Sequence, residues 1–542
     1  MTRKEETEYE MPSLSWTTPM NFLPARSWGE SPAFAPHPES HRIPTEGCIL
    51  VSIMSQQATG TANIQISVAQ SQSVAINING QLAVKLVSPA FPRPPTGGKA
   101  QEIDLLKAPL AAIPFAGRTD FLSEFLTWCN CPEPVSFRIL TGQGGAGKTR
   151  FAYELYGRIR RQTSWGAYFF EFYKEEAKGV NLWNEIPASN SLLIADYASD
   201  HAQPLADLLR SLTASTWPAD GRRIRILLLA RMGDWQRGWL RDLKSGRTGG
   251  EVDRLFQPRE PIEFPPLSGG ERLQIFKSAV EQLVELNAKP MPLIPEASVF
   301  EQPDVAARLA DPLTLMMAAV TAVHSGSTHA LTLNRTELAF EVAETLVAER
   351  LKESVRNHQA LFLHMAAIAT LCGGLTHEEA LAALEAEADA TKLGRVTDPE
   401  SFLKKLQAWL PSVAKAEQAD WMGSIQPDIV GEAFVIGSKA HANLQAAEAT
   451  VLRAYRCRGG ATLNAVIRAA QDFSLSAMSP RTEPVIWMEA LIKAAESDQD
   501  LARLAELSGA MPLESVPLRV AALRAAASLV NKLRSITDYT SD

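Results

Sequence analysis

Cysteine is scarce in this chain, and the little there is forms no pattern. The five cysteines of the 542-residue sequence (Cys48, Cys129, Cys131, Cys372, Cys457) include no Cys-x-x-Cys pair and no Cys/His group with zinc spacing. Neither a disulfide framework nor a structural zinc is expected. Basic charge is also short: 53 Lys and Arg stand against 61 Asp and Glu, a net charge of −8. That balance argues against binding polyanions by overall charge, so nucleic acid is not expected as a partner. Long hydrophobic runs are missing too. The most apolar stretch, Ala360 to Leu375, is shorter than a membrane span and contains His364. The opening Met1-Thr2-Arg3-Lys4-Glu5-Glu6 has acids where a secretory leader has its apolar run. The expectation is a cytoplasmic chain with reduced thiols and no membrane partner.

Residues 1–47, rich in Pro, Ser and Glu, show no sustained period and are expected to be a disordered arm. Residues 48–87 carry three alternating runs (Ile64, Ile66, Val68; Val74, Ile76, Ile78; Leu82, Val84, Leu86), the last two separated by Asn79-Gly80. They predict a small β segment. No charge stands between Glu46 and Lys85, so nothing there resists edge pairing, and a protein partner through 48–87 is conceivable. A Pro/Gly-rich linker is expected over 88–110. Strand and helix then alternate over 111–268, which predicts a parallel sheet with helices on both faces. The remainder reads as helical, punctuated at Pro312, Gly373-Gly374, Pro411, Pro427 and Pro480.

The strongest local signal is Gly142-Gln143-Gly144-Gly145-Ala146-Gly147-Lys148-Thr149, a full GxxxxGK[ST] match. Val135 to Leu140 reads as a buried strand entering it, and Arg150 to Ile159 as a helix leaving it with Phe151, Leu155 and Ile159 on one face. Such glycines let successive N–H groups curl around phosphate oxygens, and the helix N-terminus adds partial positive charge. Lys148 supplies a point charge to the β- and γ-phosphates, and the Thr149 hydroxyl binds Mg²⁺. The nucleotide-binding set is therefore residues 142–149 with Arg150 following.

Ser191 to Asp196 describes a buried parallel strand ending in a carboxylate, at the edge where open α/β sheets bind ligands. Asp196 is expected opposite Thr149 in the Mg²⁺ shell. A third strand, Ile224 to Ala230, ends in Arg231, which is positioned to sense a γ-phosphate. The water-activating group is less defined: Tyr197 follows Asp196, and Asp200 and Glu171 are the candidates. Slow hydrolysis is the consequence.

These motifs resemble those of the bacterial signal-transduction ATPases with numerous domains, the P-loop class that includes NACHT and NB-ARC proteins. Phe115-Ala116-Gly117-Arg118-Thr119-Asp120 resembles the motif that opens this module near the adenine, which brings Gly117 and Arg118 into the nucleotide site. Leu193 to Ala198 resembles the family's Asp-Tyr-Ala magnesium strand, and Leu227 to Arg231 with Asp234-Trp235 its sensor strand. Phe264-Pro265-Pro266-Leu267 with Arg272 is similar to the passage into the lid. Asp311-Pro312-Leu313 is similar to its Gly-x-Pro-Leu element, which implies a role for Pro312. Ile425 to Glu432 resembles the end of the closing winged helix.

The resemblance implies a P-loop NTPase domain over 111–268, a helical lid over 269–330 and a winged-helix-like domain over 331–436. A helical region over 437–542 would stand where relatives begin a repeat array. It also implies an ATP/ADP switch in which ATP releases the lid and winged helix for homo-oligomerisation, in bacterial defence or stress signalling. Two other readings stand beside it. One is an ATPase acting on nucleic acid, such as an origin-recognition-like loader or winged-helix regulator, which Arg453, Arg456 and Arg458 keep open. The other is a nucleotide-binding scaffold without turnover.

Overall fold

The computed structural model describes residues 50–51, 64–67, 73–76 and 82–87, and then 102–539 apart from 163, 175–189, 203, 207, 210–220, 237, 245–252, 413–420, 441–443, 476–479 and 513–514. The expected arm, 1–47, and the Asn79-Gly80 break lie outside them. Three short strands, β1 (Leu50–Val51), β2 (Ile64–Ser67) and β3 (Ser73–Ile76), form one antiparallel sheet, with Ile64 opposite Ile76 and Ser67 opposite Ser73.

The third alternating run departs from that segment. β4 (Leu82–Val87) pairs antiparallel with a strand of the main sheet, from Leu82 opposite Lys174 to Val87 opposite Phe169. Alternation specifies a strand with two unlike faces but says nothing of its partner. The expected linker also differs. Residues 102–110 form two short 3₁₀ turns whose Ile103, Leu105 and Leu106 are buried in the helical core. Glu102, itself buried, faces the His324 imidazole at 2.9 Å and accepts from Arg350 at 3.0 Å.

The main sheet adds β5 (Val135–Thr141), β6 (Trp165–Lys174), β7 (Asn190–Ala195), β8 (Ile224–Ala230) and β9 (Ile262–Glu263). Its order is β4-β6-β7-β8-β5-β9, and every pairing except β4 with β6 is parallel. Such strands need crossover helices. α1 (Thr119–Cys129) and α2 (Lys148–Arg160) cover one face, with Phe125, Phe151, Leu155 and Ile159 fully buried.

β8 is buried throughout and yet contains Arg225. That guanidinium donates to the carbonyls of Trp128 (3.0 Å), Cys131 (2.6 Å), Glu133 (2.9 Å) and Ile224 (3.0 Å). It thereby satisfies itself against the negative C-terminal end of α1.

Beyond the sheet the described residues are helical. α3 (Gly269–Asn287) starts from a reciprocal Ser268/Glu271 cap. α4 (Pro312–Ser325) is capped by Asp311, whose carboxylate accepts from the Thr314 amide at 2.9 Å and hydroxyl at 2.7 Å. α5 (Arg335–Val342) starts from an Asn334/Glu337 cap and runs through a π turn into a last helical stretch ending at Ser354.

α6 (Gln359–Leu371), a bridge at Leu375, α7 (His377–Thr391), α8 (Pro399–Trp409), and bridges at Pro411 and Met422 then follow in the helix–strand–helix–helix–strand–strand order of a winged helix. Each strand is reduced to one bridge. α9 (Asp428–Ala440), α10 (Leu444–Cys457), α11 (Gly459–Phe473) and α12 (Glu483–Ser497) pack behind it.

Arg453 and Arg458 on α10 and its end do not form a free basic face. Arg453 donates to Glu387 at 2.6 and 2.7 Å and Arg458 to Glu379 at 2.6 Å, while Arg456 is exposed. Among the described residues no helix is long and apolar enough to cross a membrane.

Candidate nucleotide site

Because β8 lies between β5 and β7, the residue that follows it emerges between the loop after β5 and the carboxylate after β7. The topology thus brings Gly142–Thr149, Arg231 and Asp196 to one edge. Thr149 Oγ1 donates to Asp196 Oδ2 at 2.8 Å, and the other Asp196 oxygen accepts from the Tyr197 amide at 3.0 Å. Burial raises the Asp196 pKa, opposed by those two hydrogen bonds and by Lys148.

Lys148 Nζ donates to the loop carbonyls of Gly142 (2.6 Å) and Gln143 (3.0 Å). Burial pushes its ammonium down to about 8; Asp196 opposes the shift, while Arg231 and Arg335 reinforce it. A lysine short of counter-charge and a hydroxyl–carboxylate pair in front of a glycine loop fit a phosphate chain with a divalent cation.

Arg118 joins the loop from the side, whereas Gly117 (φ +75°) faces Glu271 of the α3 cap. Arg118 Nη1 donates to Ala146 O (2.8 Å), its Nε to Pro265 O (3.0 Å), and its guanidinium lies 4.0 Å from the Phe264 ring centre. The Arg118 amide donates to Glu271 of the α3 cap at 2.8 Å. Arg150 turns instead toward the 113–115 stretch, with Ile113 O at 3.5 Å and the Phe115 ring at 5.4 Å.

The lid touches the loop directly. The Leu313 amide donates to Gly145 O at 3.4 Å. Gly145 has φ +80°, and a Cβ there would lie 2.8 Å from Asp311 Oδ1. At Gly147 a Cβ would lie 3.3 Å from the Pro312 ring.

The helical region reaches the same edge. The Tyr197 hydroxyl donates to Asp428 Oδ2 at 2.8 Å, and Arg231 Nη1 donates to Asp472 Oδ2 at 3.1 Å. Arg468 Nε donates to Glu432 Oε1 at 3.1 Å and stands 3.4 Å from Asp428. Burial pushes the Glu432 carboxyl up to about 8, reinforced by Asp472 against Arg468 and Arg231, whereas Arg468 and Arg231 hold Asp428 below its ordinary range despite its burial.

Asp200 accepts from Ser199 Oγ (3.1 Å) and Asn464 Nδ2 (3.5 Å), while Thr149 and Asp196 pair with each other. It lines a cavity of about 240 Å³ with Tyr197, His201, Asp428, Glu432 and Arg468. The side chain of Glu171 lies outside the described residues. Arg335, Arg468 and Asp472 carry no local sequence signal for this edge; only the fold brings them there.

The parallel sheet, the glycine loop opening α2 and the facing acid together define a P-loop NTPase. No protein-family model and no curated protein matches the chain. Among solved structures it is similar to the Cdc6p protein of Pyrobaculum aerophilum at 13% identity and a TM-score of 0.29, over 62% of this chain and 98% of that one. The ORC1 protein of Aeropyrum pernix in complex with DNA matches at 13% identity and 0.27, over 62% and 96%. A Drosophila ORC structure bound to DNA matches at 13% and 0.27, over 64% and 96%. The expectation that nucleic acid is no partner is corrected: a net charge of −8 does not exclude a local basic contact, and the Aeropyrum ORC1 and Drosophila ORC structures are complexes with DNA.

Proposed function

We propose that the chain is an ATP-binding switch of the signal-transduction ATPase type, with slow hydrolysis and nucleotide-dependent self-association. The observation that carries this reading is the double bridge from the helical region to the nucleotide edge, Tyr197 to Asp428 and Arg231 to Asp472. A region fastened to the residues that read the phosphates is one whose docking a nucleotide can bias.

In this reading the amides of residues 144–149 and the Lys148 ammonium would bind the β- and γ-phosphates, and Thr149 and Asp196 would hold Mg²⁺. When bound, Mg²⁺ would neutralise phosphate charge. Gly117 and Arg118 close the loop from the adenine side, and Pro312 packs the lid against Gly147. Arg231 is aimed at the terminal phosphate. Slow turnover follows because the position after Asp196 is Tyr197, whose hydroxyl is spent on Asp428, and because Asp200 is tied to Ser199 and Asn464.

Gel filtration of the full chain with ADP and with a non-hydrolysable ATP analogue tests the reading. A larger species with the ATP analogue is expected. An unchanged profile although both nucleotides bind would reject it.

One observation favours a second reading, an ATPase acting on nucleic acid. α8 is the third helix of the winged-helix order, and Lys404 and Lys405 on it are exposed. A salt-dependent shift of duplex DNA, lost on Lys404→Ala with Lys405→Ala, would support it.

A further inference from the structure

Two guanidiniums converge on Gly144 of the phosphate loop. A Cβ built on that glycine would lie 3.3 Å from the Arg231 guanidinium and 3.3 Å from an Arg335 terminal nitrogen. Arg231 directly follows β8; Arg335 comes from the first turn of α5, more than one hundred residues away in sequence. Two like charges at one glycine repel unless an anion lies between them.

Asp472, from the last turn of α11, supplies that anion. Its Oδ2 is 3.1 Å from Arg231 and its Oδ1 is 3.9 Å from Arg335. The Arg335 Nε is buried without a hydrogen-bond partner, with the nearest Asp311 oxygen at 3.9 Å. Arg335 is thus held near acids on two sides but closely bonded to neither, which leaves donor capacity facing the loop.

We infer that Arg335 is a second receptor for the terminal phosphate of ATP, and that Asp472 is a carboxylate stand-in that occupies the Arg231–Arg335 pair when that phosphate is absent. This inference rests on the reading of the loop as an ATP site and deepens it. ADP ends at the β-phosphate and leaves Asp472 in place. The γ-phosphate brings more negative charge and more acceptor oxygens than one carboxylate, so it wins both arginines. Displacing Asp472 loosens α11 from the nucleotide edge, which links phosphate recognition to docking of the helical region.

The test is the affinity of the full chain for ADP and for a non-hydrolysable ATP analogue, each with Mg²⁺, measured by calorimetry. Arg335→Gln should weaken the ATP analogue by about tenfold or more, the scale of a lost charge-assisted hydrogen bond, and leave ADP within about twofold. Asp472→Asn should raise the ratio of ATP-analogue to ADP affinity, and Asp472→Glu should return it toward the native value. Thermal melting of each variant without nucleotide identifies any that does not fold, in which case Arg335→Lys and Asp472→Glu decide. Equal weakening of both nucleotides by Arg335→Gln, or an unchanged ratio in Asp472→Asn, would overturn the inference while leaving the ATP site intact. A native chain that binds neither nucleotide would instead overturn the underlying reading.

Discussion

The phenol of Tyr197 donates to the carboxylate of Asp428 over 2.8 Å, joining residues 231 positions apart. One stands next to the acid that faces Thr149, the other opens α9. Removing that hydroxyl should therefore loosen docking without touching the phosphate loop. Tyr197→Phe is expected to cost about 1 kcal/mol of stability, the net worth of one such bond, and to speed release of bound ADP. An unchanged release rate, measured with a fluorescent ADP analogue, would mean the contact is incidental.

Lys148→Ala should abolish stabilisation by nucleotide. In the native chain, ligand at one hundred times its dissociation constant should add about 2.7 kcal/mol. A melting temperature that still rises with nucleotide in the variant would reject the site.

The buried acid Glu432 makes a pH prediction. Its carboxyl, ordinarily near 4.5, is pushed up to about 8. A carboxyl that holds its proton more tightly when folded contributes stability fully below its unfolded pKa, and that contribution is lost as pH rises through 8. Glu432→Gln, which keeps the shape without the proton equilibrium, should melt close to the native chain at pH 5 and clearly above it at pH 9. A difference that does not vary with pH would show that Glu432 is ionised throughout.

Arg453→Ala tests the opposite case. Burial works against ionised Glu387, yet Arg453 and His364 hold its carboxyl down to about 2. A depressed carboxyl contributes stability above its unfolded pKa and loses it as pH falls toward 2. The variant leaves a buried carboxylate with one partner fewer, and about 3 kcal/mol should be lost at neutral pH, less in acid. Denaturant titration at two pH values separates this from a surface pair, which would move by less than about 1 kcal/mol.

What could be read from sequence was what is local. The glycines and Lys148 stand within eight residues, and β7 announces itself by an unbroken apolar run ending in Asp196, so the Thr149–Asp196 pair was legible before any fold was known. The alternation of Leu82–Val87 predicts a strand but not its partner, because it fits any edge with one apolar face; the partner is β6. Arg335 was invisible for a different reason: it sits after Asn334 in a capped helix start, where a cation needs no further explanation. Asp472 looks like one polar position on an amphipathic helix until the fold sets it beside Arg231.

Asp311 stitches three things together: it caps α4, its oxygen crowds Gly145, and it stands 3.9 Å from Arg335. With the Leu313 amide on Gly145 O, the glycine turn and the first turn of the lid share a single polar seam. In the proposed switch, an occupant that reshapes the turn would also pull on the first turn of α4, gearing the lid to the contents of the loop rather than hinging it above them.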